Sequence, residues 1–203
     1  MRHQLTQAIA TAGLAIAAFG CAATTPAMPN PVTEPMIDQP GRYIVRYRDA
    51  VIEIVVDTKF AANNLGEGWL VLNTAMSGMT GGSTEVKRDL ISVTTPDGRT
   101  IPLPSYREFN SAYGELAATA RRAALASDPL DFTRANRSDC LIDFFPLPGS
   151  GRSARTALNV NKNELCVGML YFPVENGVQA GRWKLVVEFE ETEAVVPFVL
   201  EGE

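Results

Sequence analysis

Histidine is the side chain that most often carries proton transfer near neutral pH, and the chain has one, His3, within its first twenty residues. From residue 21 onward there is none. That removes Ser-His-Asp and Cys-His nucleophile pairs and any histidine-based zinc or copper site from residues 21–203. No Ser stands three residues ahead of a Lys and no GxSxG turn occurs, so the Ser-Lys and hydrolase-elbow routes lack their signatures as well. Cys140 and Cys166 are not spaced as CxxC. The Gly-rich run from Ser77 to Ser83 has no Lys at P-loop spacing and reads as a connection between strands. No DxDxDG calcium loop appears, and no cofactor motif. Paired carboxylates remain the one catalytic option, since glycoside cleavage needs only two acids across a bond. Glu188, Glu190, Glu191 and Glu193 cluster near the C-terminus, but at the turn and exposed side of an expected hairpin, where they read as a solvated edge that discourages strand addition.

The remaining chemistry is charge. The chain carries a formal −5, which disfavours nucleic acid as a partner. Residues 99–155 run against that trend with 8 Arg and 6 carboxylates, and Arg134, Arg137, Arg152 and Arg155 lie close in sequence. Such a cluster is either a solvated surface or a contact for an anion or an anionic partner. Trp69 and Trp183 could stack on sugar rings, yet both fall at inward strand positions and are expected in the core.

Residues 1–20 start with Arg2 and His3, continue through an apolar stretch of about a dozen residues and contain no acid, the pattern of a secretory leader. The stretch is shorter than the roughly 20 residues a membrane-spanning helix needs. At its end, Ala18-Phe19-Gly20-Cys21 resembles the lipobox of bacterial lipoproteins. That resemblance implies cleavage before Cys21, acyl chains on Cys21, and anchoring in the bacterial envelope, with Ala22 favouring the periplasmic face of the outer membrane. The partners so implied are the membrane, through the lipid, and another envelope protein or a glycan. Residues 21–40 hold five Pro after the cysteine and no apolar period, which makes a semi-rigid tether.

Residues 41–203 are expected to form a single domain. Its dominant period is two: Trp183, Leu185, Val187 and Phe189 alternate with polar residues, and Val196, Phe198 and Leu200 repeat the pattern, giving a closing hairpin in which Pro197 suits an edge. Further strands are expected at 43–47, 52–58, 69–74 and 90–95. Residues 105–126 break the pattern, with Tyr106, Phe109, Tyr113, Leu116, Ala120 and Ala124 at helical spacing. The expected fold is mainly β: an antiparallel β-sandwich, immunoglobulin-like by analogy, with one inserted amphipathic helix.

Assigning Cys21 to lipid leaves Cys140 and Cys166 as an even pair in a disulfide-permissive compartment. If their strands are antiparallel, the pairing centres on Ser153, within a Gly-Ser loop, and places the two cysteines opposite each other. The other faces of these strands, with Leu141, Phe145, Val167, Met169 and Tyr171, are also apolar and need a cover, for which the helix is the candidate. The leading expectation for function is a non-enzymatic binding or assembly module of the envelope; the rivals are a small-ligand or carbohydrate carrier and a carboxylate-based glycan enzyme.

Overall fold

The two-residue period of the C-terminal third becomes a hairpin of β11 (Gly181–Glu188) and β12 (Glu193–Leu200), in which Trp183 lies opposite Phe198 and Leu185 opposite Val196. Alternation puts these four on one buried face, and the Trp183 and Phe198 rings stack with centroids 6.4 Å apart. The structure is a computed structural model and describes residues 34–133, 136–189 and 192–201. The leader, Cys21, the tether up to residue 33, Arg134, Glu190 and Glu191 lie outside the described residues.

Before the hairpin the chain forms β1 (Met36–Gly41), β2 (Ile44–Arg48), β3 (Ile52–Asp57), a single helical turn α1 (Lys59–Ala62), β4 (Trp69–Gly78), β5 (Thr84–Lys87), β6 (Ile91–Thr94) and β7 (Thr100–Pro102). There follow helix α2 (Tyr106–Ala126), β8 (Ser138–Leu141), β9 (Ala157–Val160) and β10 (Glu164–Pro173). One sheet has the order β1-β2-β3-β4-β10-β8, a second β12-β11-β6-β7, and β5 pairs with β9 alone. The protein is a mainly β sandwich with one long helix. The immunoglobulin analogy extends to two packed sheets and no further, because β1 to β4 are sequential neighbours in one sheet.

The core between the sheets is set by parity. Ile52, Ile54 and Val56 of β3, Leu70 and Leu72 of β4, and Leu170 and Phe172 of β10 face Val93, Trp183, Leu185, Val196 and Phe198, all at most 3% exposed. Pro197 sits on β12, at the edge of its sheet, where its missing N–H interrupts no ladder.

Along β10 the opposite face of the six-stranded sheet is apolar too, and α2 covers it. Ser105 caps the helix, its hydroxyl accepting from the Glu108 N–H while the Glu108 carboxylate accepts from the Ser105 N–H. Phe109, fully buried, sets its ring 5.1 Å from that of Tyr171 on β10 and 4.8 Å from that of Phe145. Beyond α2 the chain continues over the same face, where Leu130 packs with Val55, Ala75 and Leu165. The buried Asp57 carboxylate fastens this segment, accepting from the N–H of Lys59 (2.8 Å) and of Asp128 (2.7 Å).

Two expectations need correction. Residues 36–40 are not tether but most of β1, an edge strand held by its ladder to β2 and by a bidentate pair of Arg46 with Asp38. Cys140 and Cys166 are directly opposite and disulfide-bonded, as expected, but β8 and β10 run parallel. The chain does not turn back at Ser153; it leaves the sheet, forms β9 against β5, and re-enters in the original direction, as a parallel pair requires.

Candidate functional site

Of the arginines grouped in the sequence, Arg137 turns inward. Its Nη2 lies 2.8 Å from Oε2 of Glu53, whose Oε1 accepts from Arg48 Nη2 at 2.7 Å. Glu53 is 3% exposed. Burial pushes its carboxyl up, but the two guanidiniums outweigh burial and hold it below the usual carboxylate range. Arg137 is therefore part of a buried ion triad and not a surface contact for a partner. Because the folded-state pKa lies below the unfolded one, the triad's contribution is complete above about pH 4.3 and is lost as pH falls through the folded value. Glu53→Gln is expected to cost about 2 kcal/mol at pH 7, discounted because the Arg48 and Arg137 side chains are 30% and 18% exposed. The difference from the unsubstituted protein should close on acidification in urea melts; a difference independent of pH would exclude the ion pair as its source.

Arg152 and Arg155 meet at Asp143. Arg152 Nη1 pairs with Asp143 Oδ1 at 2.9 Å, and the backbone N–H of Arg155 donates to the Asp143 carbonyl at 2.8 Å, with both arginine side chains exposed. Arg152 also stands at the rim of a groove of about 250 Å³. The groove follows from three local features. Alternation places Val167, Met169 and Tyr171 on the helix-facing side of β10. Spacings of seven and four place Tyr113, Ala120 and Ala124 on one side of α2, and the small alanines keep that wall low.

The third feature is Gly168. A Cβ there would lie 2.8 Å from both the Cβ and the carbonyl oxygen of Ile142, so only glycine lets the segment after β8 cross so close to β10. That crossing brings Leu141, Phe145 and Leu147 to the remaining wall, with Leu141 51% and Leu147 41% exposed. Arg121, from α2, stands opposite Arg152 in the lining. The floor is apolar, and burial raises the Tyr171 hydroxyl to about 12 and keeps it neutral, with Tyr113 beside it adding to the effect. The arrangement can take up an apolar side chain and meet an anionic group at the rim.

The acid in the groove's lining is Asp143, and it is paired with Arg152. Burial pushes the Asp57 carboxyl up, yet Asp57 is 1% exposed and takes two backbone N–H groups, and it is not part of the groove. Its neighbour Asp128 is paired with Lys59 Nζ at 2.6 Å. Among the described residues no group of three or more His, Cys, Asp or Glu converges to hold a metal ion. Trp183 is buried with its Nε1 donating to the Gln179 carbonyl at 2.9 Å and so offers no open platform for a sugar, whereas Trp69 is half-buried, one part of it packed against the core. Arg121, Asp143 and Leu147 are groove residues that sequence reasoning missed; for Arg121 the helical position, one turn from Ala124 and eight residues from Tyr113, was the available signal.

No protein-family model matches the chain, and no similarity to a curated protein or to a solved structure was found.

Proposed function

We propose that this protein is an envelope-anchored lipoprotein that acts as a non-enzymatic binding or assembly module, held to the membrane through Cys21 and engaging another envelope protein through the groove between α2 and β10. The observation that carries this reading is the groove itself: an apolar floor, two exposed leucines on one wall and arginines on both sides. Buried apolar anchors within a polar rim are how protein interfaces concentrate affinity. Its volume lies below the roughly 300 Å³ at which small-molecule pockets begin, which favours one or two side chains of a partner over a whole ligand. Arg121, with Arg152 shared between Asp143 and the rim, favours an acidic group beside that anchor. The leader and the lipobox-like residues support the address.

A photo-crosslinking residue in place of Leu147, in cells making the full chain, tests the role. One discrete protein adduct is expected, reduced at least about tenfold by Leu141→Asp and to a lesser degree by Arg152→Ala with Arg155→Ala. Those positions are exposed, so the fold should persist. No adduct, or an adduct indifferent to these changes, sinks the reading. The anchor is tested by intact mass of the membrane-extracted chain, which should lack residues 1–20 and carry acyl chains on residue 21.

A further inference from the structure

A second and larger cleft lies at the other edge of the six-stranded sheet, where the β1–β2 hairpin, Thr58 and Ala62 of the α1 turn meet the β11–β12 hairpin. Its volume is about 740 Å³, within the range of small-molecule sites. Three cations line it: Arg42 from the β1–β2 turn, and Arg182 and Lys184 from β11. Among the described residues none of the three is in a salt bridge. The two lining acids are unequal, because Asp38 is neutralised by Arg46, which leaves Glu201 as the counter-charge among the described lining residues. This positive lining belongs to a protein of net charge −5.

Edge protection does not account for these charges. Arg182 and Lys184 are on β11, which has β12 on one side and β6 on the other, so they guard no open edge. On the same outward row of the hairpin they face Val199 and Pro197, their register partners on β12, so cation and apolar surface are interleaved. Arg42 lies over the Tyr43 ring, 5.0 Å from its centroid, which adds an aromatic wall beside a charge. Ile37, 46% exposed, continues the apolar lining along β1.

We infer that this cleft binds an anionic amphiphile, a single molecule with an apolar chain and a carboxylate or phosphate head, the head meeting Arg42, Arg182 and Lys184 and the chain lying against Tyr43, Pro197 and Val199. Two arginines and a lysine suit such a head because they supply bidentate donors and a point charge together. The inference uses no residue of the α2–β10 groove and stands apart from the partner proposed there.

The test uses the full chain with Cys21→Ser, so that no acyl group of its own competes, and measures binding by calorimetry below the micellar concentration of each probe. Laurate and dodecyl phosphate represent the two head chemistries, dodecyl maltoside is the uncharged control, and inorganic phosphate is the head alone. Saturable one-to-one binding of either anionic probe is expected, at least about tenfold tighter than the maltoside and weakened at least about tenfold by Arg182→Gln with Lys184→Gln. The preferred anionic probe identifies the head group. Arg152→Gln, in the other groove, should leave the affinity unchanged. Equal binding of charged and uncharged probes, no binding of either anion, indifference to the charge substitutions, or inorganic phosphate binding as tightly as the amphiphiles would each overturn the inference.

Discussion

Replacing Phe109 with Ala should lower stability by about 4 kcal/mol, near the upper end for loss of a buried aromatic ring. Phe109 is fully buried and is the hub of the layer outside the sandwich: Tyr106 and Tyr113 of its own helix lie 6.2 and 5.7 Å away between ring centroids, Phe145 4.8 Å and Tyr171 5.1 Å. The substitution removes the ring's transfer free energy, leaves a void between elements that cannot all close on it, and breaks several aromatic contacts worth about 0.5–1.5 kcal/mol each. Phe109→Leu, which fills part of the volume, should cost about half as much. Urea denaturation followed by tryptophan fluorescence would measure both. A loss under about 1 kcal/mol for Phe109→Ala would mean that the sheet keeps its cover without this ring. Since Phe145, Tyr113 and Tyr171 also line the groove, the same variant should abolish the Leu147 adduct even where it remains folded.

What could be read from the sequence divides along the range of the interactions involved. The β11–β12 hairpin is local: its alternation, its acidic turn and Pro197 all act within twenty residues, and the strands appear where that pattern puts them. Helix α2 is local as well, and its span matches the 105–126 expected from the spacing of Phe109, Leu116 and Ala120. The expectation that a strand with two apolar faces needs a third layer also holds, because it rests on burial and not on sequence distance: Phe109 meets Tyr171 and Phe145. By contrast, β5 and β9 pair across more than seventy residues through four-residue segments too short to show a period. β1 was hidden by Pro40, by the proline-rich run before it and by having just one paired side, so it needs little apolar sequence to form. At the candidate site, closeness in sequence misled. Arg137 reaches back to Glu53, and Arg152 gains its place from Gly168 and Ile142, whose contact joins segments that no local spacing connects.

Removing the Cys140–Cys166 bridge, by replacing both with Ala, should destabilise the protein by about 3.5 kcal/mol in the chain-entropy model for a separation of 26 residues. One opposed pair cannot reveal whether two strands run parallel or antiparallel, and here the direction decides where the loss falls. An antiparallel hairpin would bring β8 to its partner through a nearby turn. The parallel arrangement instead makes β8 the far edge of its sheet, four residues long, with Ser138, Asp139 and Leu141 exposed. It buries little of its own, so the covalent link is expected to add substantially to the ladder and to the flanking bonds from Ser138 N–H to the Asn163 carbonyl and from Ile142 N–H to the Val167 carbonyl. Hydrogen exchange in the double variant should therefore rise sharply at the amides of residues 138–142, while β10 keeps its protection through its antiparallel pairing with β4. Leu141 and Ile142 form part of the groove, so reduction should weaken partner capture there, whereas amphiphile binding should survive at the cleft beside β1, at the opposite edge of the same sheet. Protection retained at 138–142 without the bridge would mean that backbone pairing alone secures the strand, and the two binding surfaces would then respond alike to reducing conditions.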